Sequence, residues 1–189
     1  DIYIGGKAYL NNRRQFNKSL NFKLINFKRF KLSKRVKSKK NILVLLTGIK
    51  KCDIKLLKIV KELNKNLKSK NKILVKFHPL LQSKYFEEAK DFNEVKDSAS
   101  KLISKAAIVV TASYTGVLYE SLIYGVTTCM LNYCVTDKNL CKYLKIYSNN
   151  IYNFDTVIDL EKIIENTNLK KNKQIYSKII RKNFFHEKN

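Results

Sequence analysis

Tryptophan is absent from this chain of 189 residues, proline and methionine occur once each, and glycine occurs only five times. No apolar run approaches the roughly 20 residues that a membrane-spanning helix needs, and no signal peptide is recognisable at the start. The length and the 44% hydrophobic content predict one domain of ordinary size, or one domain and a tail. Because the chain opens with Asp1 rather than methionine, we expect a fragment of a longer protein.

Metal-binding side chains are equally scarce. The chain has two histidines, and its four cysteines form no C-x-x-C pair: Cys52, Cys129, Cys134 and Cys141. These spacings match no zinc framework, so we predict no metal site. We expect the cysteines to be reduced, buried or half-buried thiols of a cytoplasmic protein.

Acidic residues are few, because 15 Asp and Glu stand against 39 Lys and Arg, for a formal net charge of +24. A basic surface attracts the phosphates of nucleic acids, nucleotides or anionic lipids. The lysines accompany many asparagines, however, and an AT-rich genome places this pair of residues on any tolerant surface. Composition alone leaves both explanations open.

One segment favours a functional explanation of the charge. Residues 13–40 carry only basic charges, interleaved with Phe16, Phe22, Phe27 and Phe30. Basic–aromatic mixtures suit an anionic membrane surface or a single-stranded nucleic acid. A solvated linker is the third interpretation of the same residues.

Apolar runs of strand length alternate with helical patterns along the rest of the chain. Residues 41–48, N-I-L-V-L-L-T-G, are typical of a strand buried on both faces, and Asp53 is predicted to cap the helix that follows it. The other predicted elements are strands at 1–10 (ending in a Gly-Gly turn), 72–77, 107–111 and 126–132, and helices at 97–105, 115–124 (ended by Gly125), 157–165 and 174–185. This alternation predicts an α/β fold, a Rossmann-like parallel sheet flanked by helices.

Ligands of open α/β sheets bind outside the carboxyl ends of the strands, and two candidate segments follow predicted strands directly. Gly48 ends the first, and His78-Pro79 ends the second. A histidine held by a proline can donate to a phosphate oxygen or pass a proton to a leaving group. Lys76 projects from the same face as His78 and could supply a second cation. Each feature is also compatible with an ordinary turn.

The third candidate is the stretch A-S-Y-T-G-V-L-Y-E, residues 112–120, where a strand turns into a helix. Ser113 and Thr115 offer hydroxyls, Gly116 permits close approach of the backbone, and the start of a helix attracts anions. Glu120 lies one turn further on and could accept hydrogen bonds from ribose hydroxyls. The alternative is a surface glutamate paired with a lysine.

These motifs resemble the C-terminal, nucleotide-binding half of GT-B glycosyltransferases. I-L-V-K-F-H-P, residues 73–79, and the stretch at 109–126 look like the motifs of bacterial capsule-type sialyl- and Kdo-transferases that use CMP-sugars. They are more distantly similar to CDP-glycerol glycerophosphotransferases and UDP-GlcNAc 2-epimerases. The resemblance implies an opening strand and basic linker at 1–40, and a nucleotide-sugar-binding domain with C-terminal helices at 41–189.

The resemblance also implies an activity and roles for the site residues. The activity is that of an inverting, metal-independent glycosyltransferase of capsule or lipooligosaccharide synthesis. His78 would be catalytic and contact the donor phosphate with Ser113 and Thr115, while Glu120 would hold the ribose. Gly48, Lys76, Pro79 and Gly116 complete the predicted nucleotide site.

The partners implied are a nucleotide-sugar donor, a glycan or glycolipid acceptor, and an N-terminal acceptor domain that would supply the catalytic base. No cofactor is expected besides the donor. The protein would be cytoplasmic, held at the inner membrane if the basic segment binds anionic lipid. One alternative function is a basic nucleic-acid-binding protein, which we do not favour because no known nucleic-acid-binding motif is present. Another is a different enzyme of the same fold, a UDP-GlcNAc 2-epimerase or a CDP-glycerol glycerophosphotransferase.

Overall fold

The computed structural model describes residues 2–4, 22–24, 41–67, 72–79, 87–92, 94–113, 116–132 and 151–167. Seven strands and four α-helices lie within them. In chain order these are β1 (Ile2–Ile4), β2 (Phe22–Leu24), β3 (Asn41–Leu45), α1 (Lys50–Asn66), β4 (Lys72–Lys76), α2 (Ala99–Ile103), β5 (Ile108–Thr111), α3 (Gly116–Ile123), β6 (Thr127–Leu131), β7 (Ile151–Phe154) and α4 (Val157–Thr167). A short 3₁₀ helix spans Glu87–Ala89.

Five of the strands form one parallel sheet in the order β4-β3-β5-β6-β7. This arrangement confirms the predicted α/β fold with a Rossmann-like parallel sheet. β1 and β2 form a separate parallel pair. β2 lies within the basic segment and was not predicted from the sequence.

Helices cover both faces of the five-stranded sheet, as the alternation of side chains along β3 shows. Ile42 and Val44 pack with apolar side chains of α1 and α4, including Leu57 and Leu160. Leu43 and Leu45 belong to a second cluster, on the opposite face, with residues of α2 and the segment after α3. Because β3 is buried on both faces, its sequence is continuously apolar.

Two predicted features need correction, and one predicted helix is not tested. No strand was predicted between β6 and α4, but this region contains β7, an edge strand with one fully buried side chain, Phe154. Cys52 is disulfide-bonded, so the expectation of reduced thiols is wrong at that position. Cys129 is free and buried, and burial raises the pKa of its thiol. The helix predicted at 174–185 lies outside the described residues.

α4 begins with a reciprocal set of hydrogen bonds between Thr156 and Asp159. The Asp159 N–H donates to Thr156 Oγ1 at 3.2 Å, and the Thr156 N–H donates to Asp159 Oδ2 at 3.0 Å. The Thr156 hydroxyl donates to the same carboxylate at 2.8 Å. This is a capping box with an aspartate in the acidic position. Chiefly because of the hydroxyl bond, the pKa of Asp159 is lowered from its ordinary value.

We expect Asp159→Asn to reduce the free energy of unfolding at neutral pH, and the loss to shrink as the pH falls. A carboxyl group whose folded pKa is lowered stabilises the fold above its unfolded pKa and loses that contribution as the pH falls through the folded value. Urea unfolding of both proteins, from pH about 7 down to pH about 3, measures the difference. A difference that does not change with pH would contradict the assignment.

Candidate functional site

The register of the sheet brings three predicted loops together at the carboxyl ends of the strands. Leu45, near the end of β3, is the partner of Lys76 in β4 on one side and of Thr111 in β5 on the other. The residues that follow these partners therefore leave the sheet side by side. They are the loop Thr47-Gly48, the dipeptide His78-Pro79, and Ser113.

The strand order shows where a crevice forms at that edge. The chain leaves β3 toward β4 on one side and leaves β5 toward β6 on the other side. Connections that leave two adjacent strands in opposite directions create the crevice in which doubly wound proteins bind ligands. The crevice between β3 and β5 is bordered by Gly48 and Ser113. The sequence predicted that the candidate loops lie at the carboxyl ends of the strands, but not which strands are neighbours.

Gly48 and His78, which lie thirty residues apart in the sequence, are in direct contact. Gly48 has φ +86°, and a Cβ atom placed on it would lie 2.8 Å from His78 Nδ1 and 3.0 Å from its Cγ. No other residue type could adopt this backbone comfortably and also leave room for the ring. Because Gly48 has no side chain, the imidazole of His78 can pack directly against its backbone.

The neighbours of His78 differ in exposure. His78 itself is half-buried, Pro79 is exposed, and Lys76, the last residue of β4, is half-buried. The His78 ring therefore packs against Gly48 and remains partly exposed. A cationic side chain two residues earlier stands at the same edge. That these two side chains recognise an anion stays a prediction.

The third loop is partly described. Ser113 is buried, and the Thr111 hydroxyl donates to its carbonyl oxygen at 3.5 Å. Gly116 is the first residue of α3, and Thr115 lies outside the described residues. Glu120 is only 2% exposed, so the alternative of a surface glutamate paired with a lysine is wrong. A carboxylate at this depth, one turn into a helix, requires polar partners.

Asp53 is a polar residue of the site that the sequence analysis misassigned. It does not cap α1, whose N-cap residue is Ile49 without any side-chain cap bond. Its carboxylate instead turns back to the preceding loop and accepts from the Thr47 N–H at 2.8 Å, the Thr47 hydroxyl at 2.9 Å and the Gly48 N–H at 2.9 Å. Asp53, Leu57 and Val60 have helical spacing on the buried face of α1. An acidic residue in that apolar stripe was the signal available in the sequence.

Asp53 is fully buried, and this burial dominates its protonation. Desolvation raises the pKa of Asp53 above its ordinary value, although the bonds from Thr47 and Gly48 and the charge of His78 act in the opposite direction. The carboxylate of Asp53 is therefore near enough to His78 for the two groups to interact electrostatically. Among the described residues no cluster of histidine, cysteine or carboxylate side chains could hold a metal ion. No helix in the same parts of the chain is long and apolar enough to cross a bilayer.

No family profile and no curated protein sequence matches this chain, but solved structures do. A histidine-to-asparagine variant of the wall teichoic acid polymerase TagF, soaked with CDPG, has a TM-score of 0.51 at 19% identity over 93% of this chain and 41% of that one. The glycotransferase of kitacinnamycin has a TM-score of 0.55 at 13% identity, over 83% and 40% of the two chains. The glycosyltransferase SnogD from Streptomyces nogalater has a TM-score of 0.51 at 12% identity, over 86% and 43%.

At these identities the likeness shows the fold. The chain has the Rossmann-like architecture of one half of the GT-B glycosyltransferases. It spans about two fifths of the length of the structures it matches.

We expect Gly48→Ala to lower the free energy of unfolding by more than the strain of its positive φ, which costs about 1–2 kcal/mol. The added methyl group also collides with the His78 ring, whose nearest atom would lie 2.8 Å away. Gly125→Ala is the matched control, because Gly125 also has a positive φ, of 63°, but follows α3. Chemical denaturation measures both.

The collision can be isolated with His78→Ala as a second substitution. The excess cost of Gly48→Ala, about 1 kcal/mol for residues in contact, should disappear when the ring is absent. The cost of Gly125→Ala should be the same in both backgrounds. Equal costs of Gly48→Ala with and without the ring would show that the contact is not made in solution.

Proposed function

We propose that this chain is the donor-binding half of an inverting, metal-independent glycosyltransferase that uses a cytidine-activated donor. The observation that carries the proposal is the contact of His78 with Gly48 beside the crevice between β3 and β5. It supplies an accessible imidazole, held in place, where doubly wound sheets bind their ligands. The likeness in fold to glycosyltransferases supports the same class of activity.

The first residues of α3 would bind the donor phosphate. Ser113, Thr115 and Gly116 lie at or before the start of this eight-residue helix, whose free N–H groups and dipole favour an anion. Lys76 would add a cation at the end of β4, which β3 separates from β5, and Pro79 would restrict the backbone after His78. Together these groups would neutralise a phosphate without a metal ion.

Glu120 would select the nucleotide by accepting hydrogen bonds from both ribose hydroxyls. A carboxylate can accept charge-assisted hydrogen bonds from two vicinal hydroxyls at once. One helical turn separates it from Gly116, which matches the separation of a ribose from its phosphate.

In the reaction, the oxygen of an acceptor hydroxyl would form a bond to the anomeric carbon as the bond from that carbon to the donor phosphate breaks. The acceptor proton would pass to a carboxylate of a second domain. Negative charge would develop on the departing phosphate, and His78 would stabilise it by donating a hydrogen bond or its proton. Preorganised donors are most effective where such charge develops.

A glycerophosphotransferase is the second candidate, and the likeness to a teichoic acid polymerase soaked with CDPG favours it. If the donor were CDP-glycerol, the acceptor oxygen would attack the glycerol-bearing phosphorus, and the pyrophosphate bond would break. Transfer from a CMP-sugar and transfer from CDP-glycerol both release CMP. One CMP-binding site with His78 at the phosphate would therefore serve either reaction.

The remaining partners follow from the charge and the length of the chain. Residues 13–40 would bring the protein to the anionic inner leaflet, where each basic residue near the surface contributes about 1 kcal/mol. Lipid-linked acceptors for surface polysaccharides, capsule or lipooligosaccharide, would be met there. The acceptor would bind to a second domain, which is consistent with the two-fifths coverage of the matched structures.

We expect CMP to raise the melting temperature of the chain by several degrees. A ligand at about a hundred times its dissociation constant contributes roughly 2.7 kcal/mol, and a domain of this size gains about 2–4 °C per kcal/mol. Thermal unfolding with CMP, CDP, CDP-glycerol, UMP, UDP and a short oligonucleotide, at low and high salt, compares the candidates. UMP and UDP should shift the temperature less than CMP.

Two substitutions test the assignment of residues, each with a matched control. The shift with CMP should be reduced in His78→Ala and Glu120→Gln and be kept in His186→Ala and Glu165→Gln, the last at an exposed position of α4. A larger shift with CDP-glycerol than with CMP would favour the glycerophosphotransferase. A larger shift with UDP would indicate an epimerase instead. A shift with the oligonucleotide alone, abolished by salt, would overturn the proposal in favour of nucleic-acid binding.

A further inference from the structure

Asp53 accepts hydrogen bonds from the loop that follows β3. Its carboxylate accepts from the N–H groups of Thr47 and Gly48 and from the Thr47 hydroxyl, all at 2.8–2.9 Å. Thr47 Oγ1 in turn accepts from the Ile49 N–H at 3.2 Å. Three successive backbone N–H groups are thus held by Asp53 or by the hydroxyl bound to it. The loop has one conformation in which all these bonds are made.

That conformation is the one that accommodates His78. The carboxylate fixes the N–H of Gly48, and Gly48 has the positive φ that presents its bare Cα to the imidazole ring. A small rotation of the Gly48 backbone would move this surface, since the ring already lies at contact distance. The position of His78 on one side of the loop therefore depends on the carboxylate on the other side.

A neutral side chain could not replace the carboxylate here. Asparagine has one acceptor oxygen, and its amide nitrogen would face an N–H donor of the loop instead of accepting from it. Burying a carboxylate is destabilising unless donors surround it. Burial opposes ionisation of Asp53, which is a cost that an ordinary loop would not need to bear.

We propose that Asp53 is a positioning residue for His78, which acts by holding the Thr47-Gly48 loop as the surface on which the imidazole lies. The significance of this role for activity rests on the proposed function of His78 in donor binding. Asp53 itself is fully buried, so the proposed role is indirect and acts through the loop.

The contact between Gly48 and His78 is observable by NMR without any ligand. The chain has only two histidines, His78 and His186, so His78→Ala assigns the ring signals. A nuclear Overhauser effect between the His78 ring and the Hα protons of Gly48 should be present in the unaltered chain. It should be weakened or lost in Asp53→Asn.

Asp159→Asn is the matched control. Asp159 also accepts from two backbone N–H groups and a threonine hydroxyl at the start of a helix, but beside β7 rather than β3. The Overhauser effect should persist in this variant. If Asp53→Asn fails to fold, Thr47→Val removes only the hydroxyl bonds and should weaken the effect in part, and Thr47→Ser should restore it. Persistence in a folded Asp53→Asn, or an unchanged effect in Thr47→Val, would overturn the proposal.

CMP affinity, measured by calorimetry on the same variants, separates positioning from general loss of structure. Asp53→Asn should weaken CMP binding about tenfold, which is the lower end of the effect that loss of an orienting outer partner has at metal sites, and Asp159→Asn should not. In the His78→Ala background Asp53→Asn should have little further effect. An equal loss in both backgrounds would overturn the positioning role. No CMP binding by the unaltered chain would refute the proposed function, while the Overhauser experiment would still decide the role of Asp53.

Discussion

The burial of β3 on both faces and its pairing on both edges is the constraint on which the rest of the structure depends. Its side chains alternate between the cluster under α1 and α4 and the cluster on the opposite face. Its backbone pairs with β4 and β5 in one register. With no freedom to slide or rotate, β3 must end at a fixed point. The loop that follows it therefore begins at a fixed position in the sheet.

Much of the fold could be predicted from local pattern, and the exceptions have physical causes. The continuous apolar run in β3 and the helical spacing of Leu57, Val60 and Leu63 indicate buried elements directly. β7 was not predicted because an edge strand buries few side chains, and Phe154 is the one residue of β7 that is fully buried. The strand order could not be predicted because it depends on crossover connections and packing, which no local window of sequence contains.

The same distinction applies to the site. Gly48, His78 and Ser113 could be proposed one by one, because each follows a predicted strand and parallel strands share a binding edge. Their relation could not, since the contact of Gly48 with His78 requires β3 and β4 to be neighbours. Asp53 was misassigned although its donors are only five and six residues away. Its position in the apolar stripe of α1 distinguishes a buried carboxylate from a helix cap.

The net charge of +24 and the site at the sheet edge act over different distances, and this separates their contributions. At physiological ionic strength a charge is screened within about 8 Å, so the basic surface attracts any phosphate and distinguishes none. It raises the rate of encounter with nucleotides, lipids and nucleic acids alike. Discrimination requires contacts that a mobile ion cannot replace, such as an imidazole held at contact distance and a carboxylate buried within a helix turn. The charge can therefore vary with genome composition, whereas Asp53, Gly48 and His78 constrain one another through direct contact.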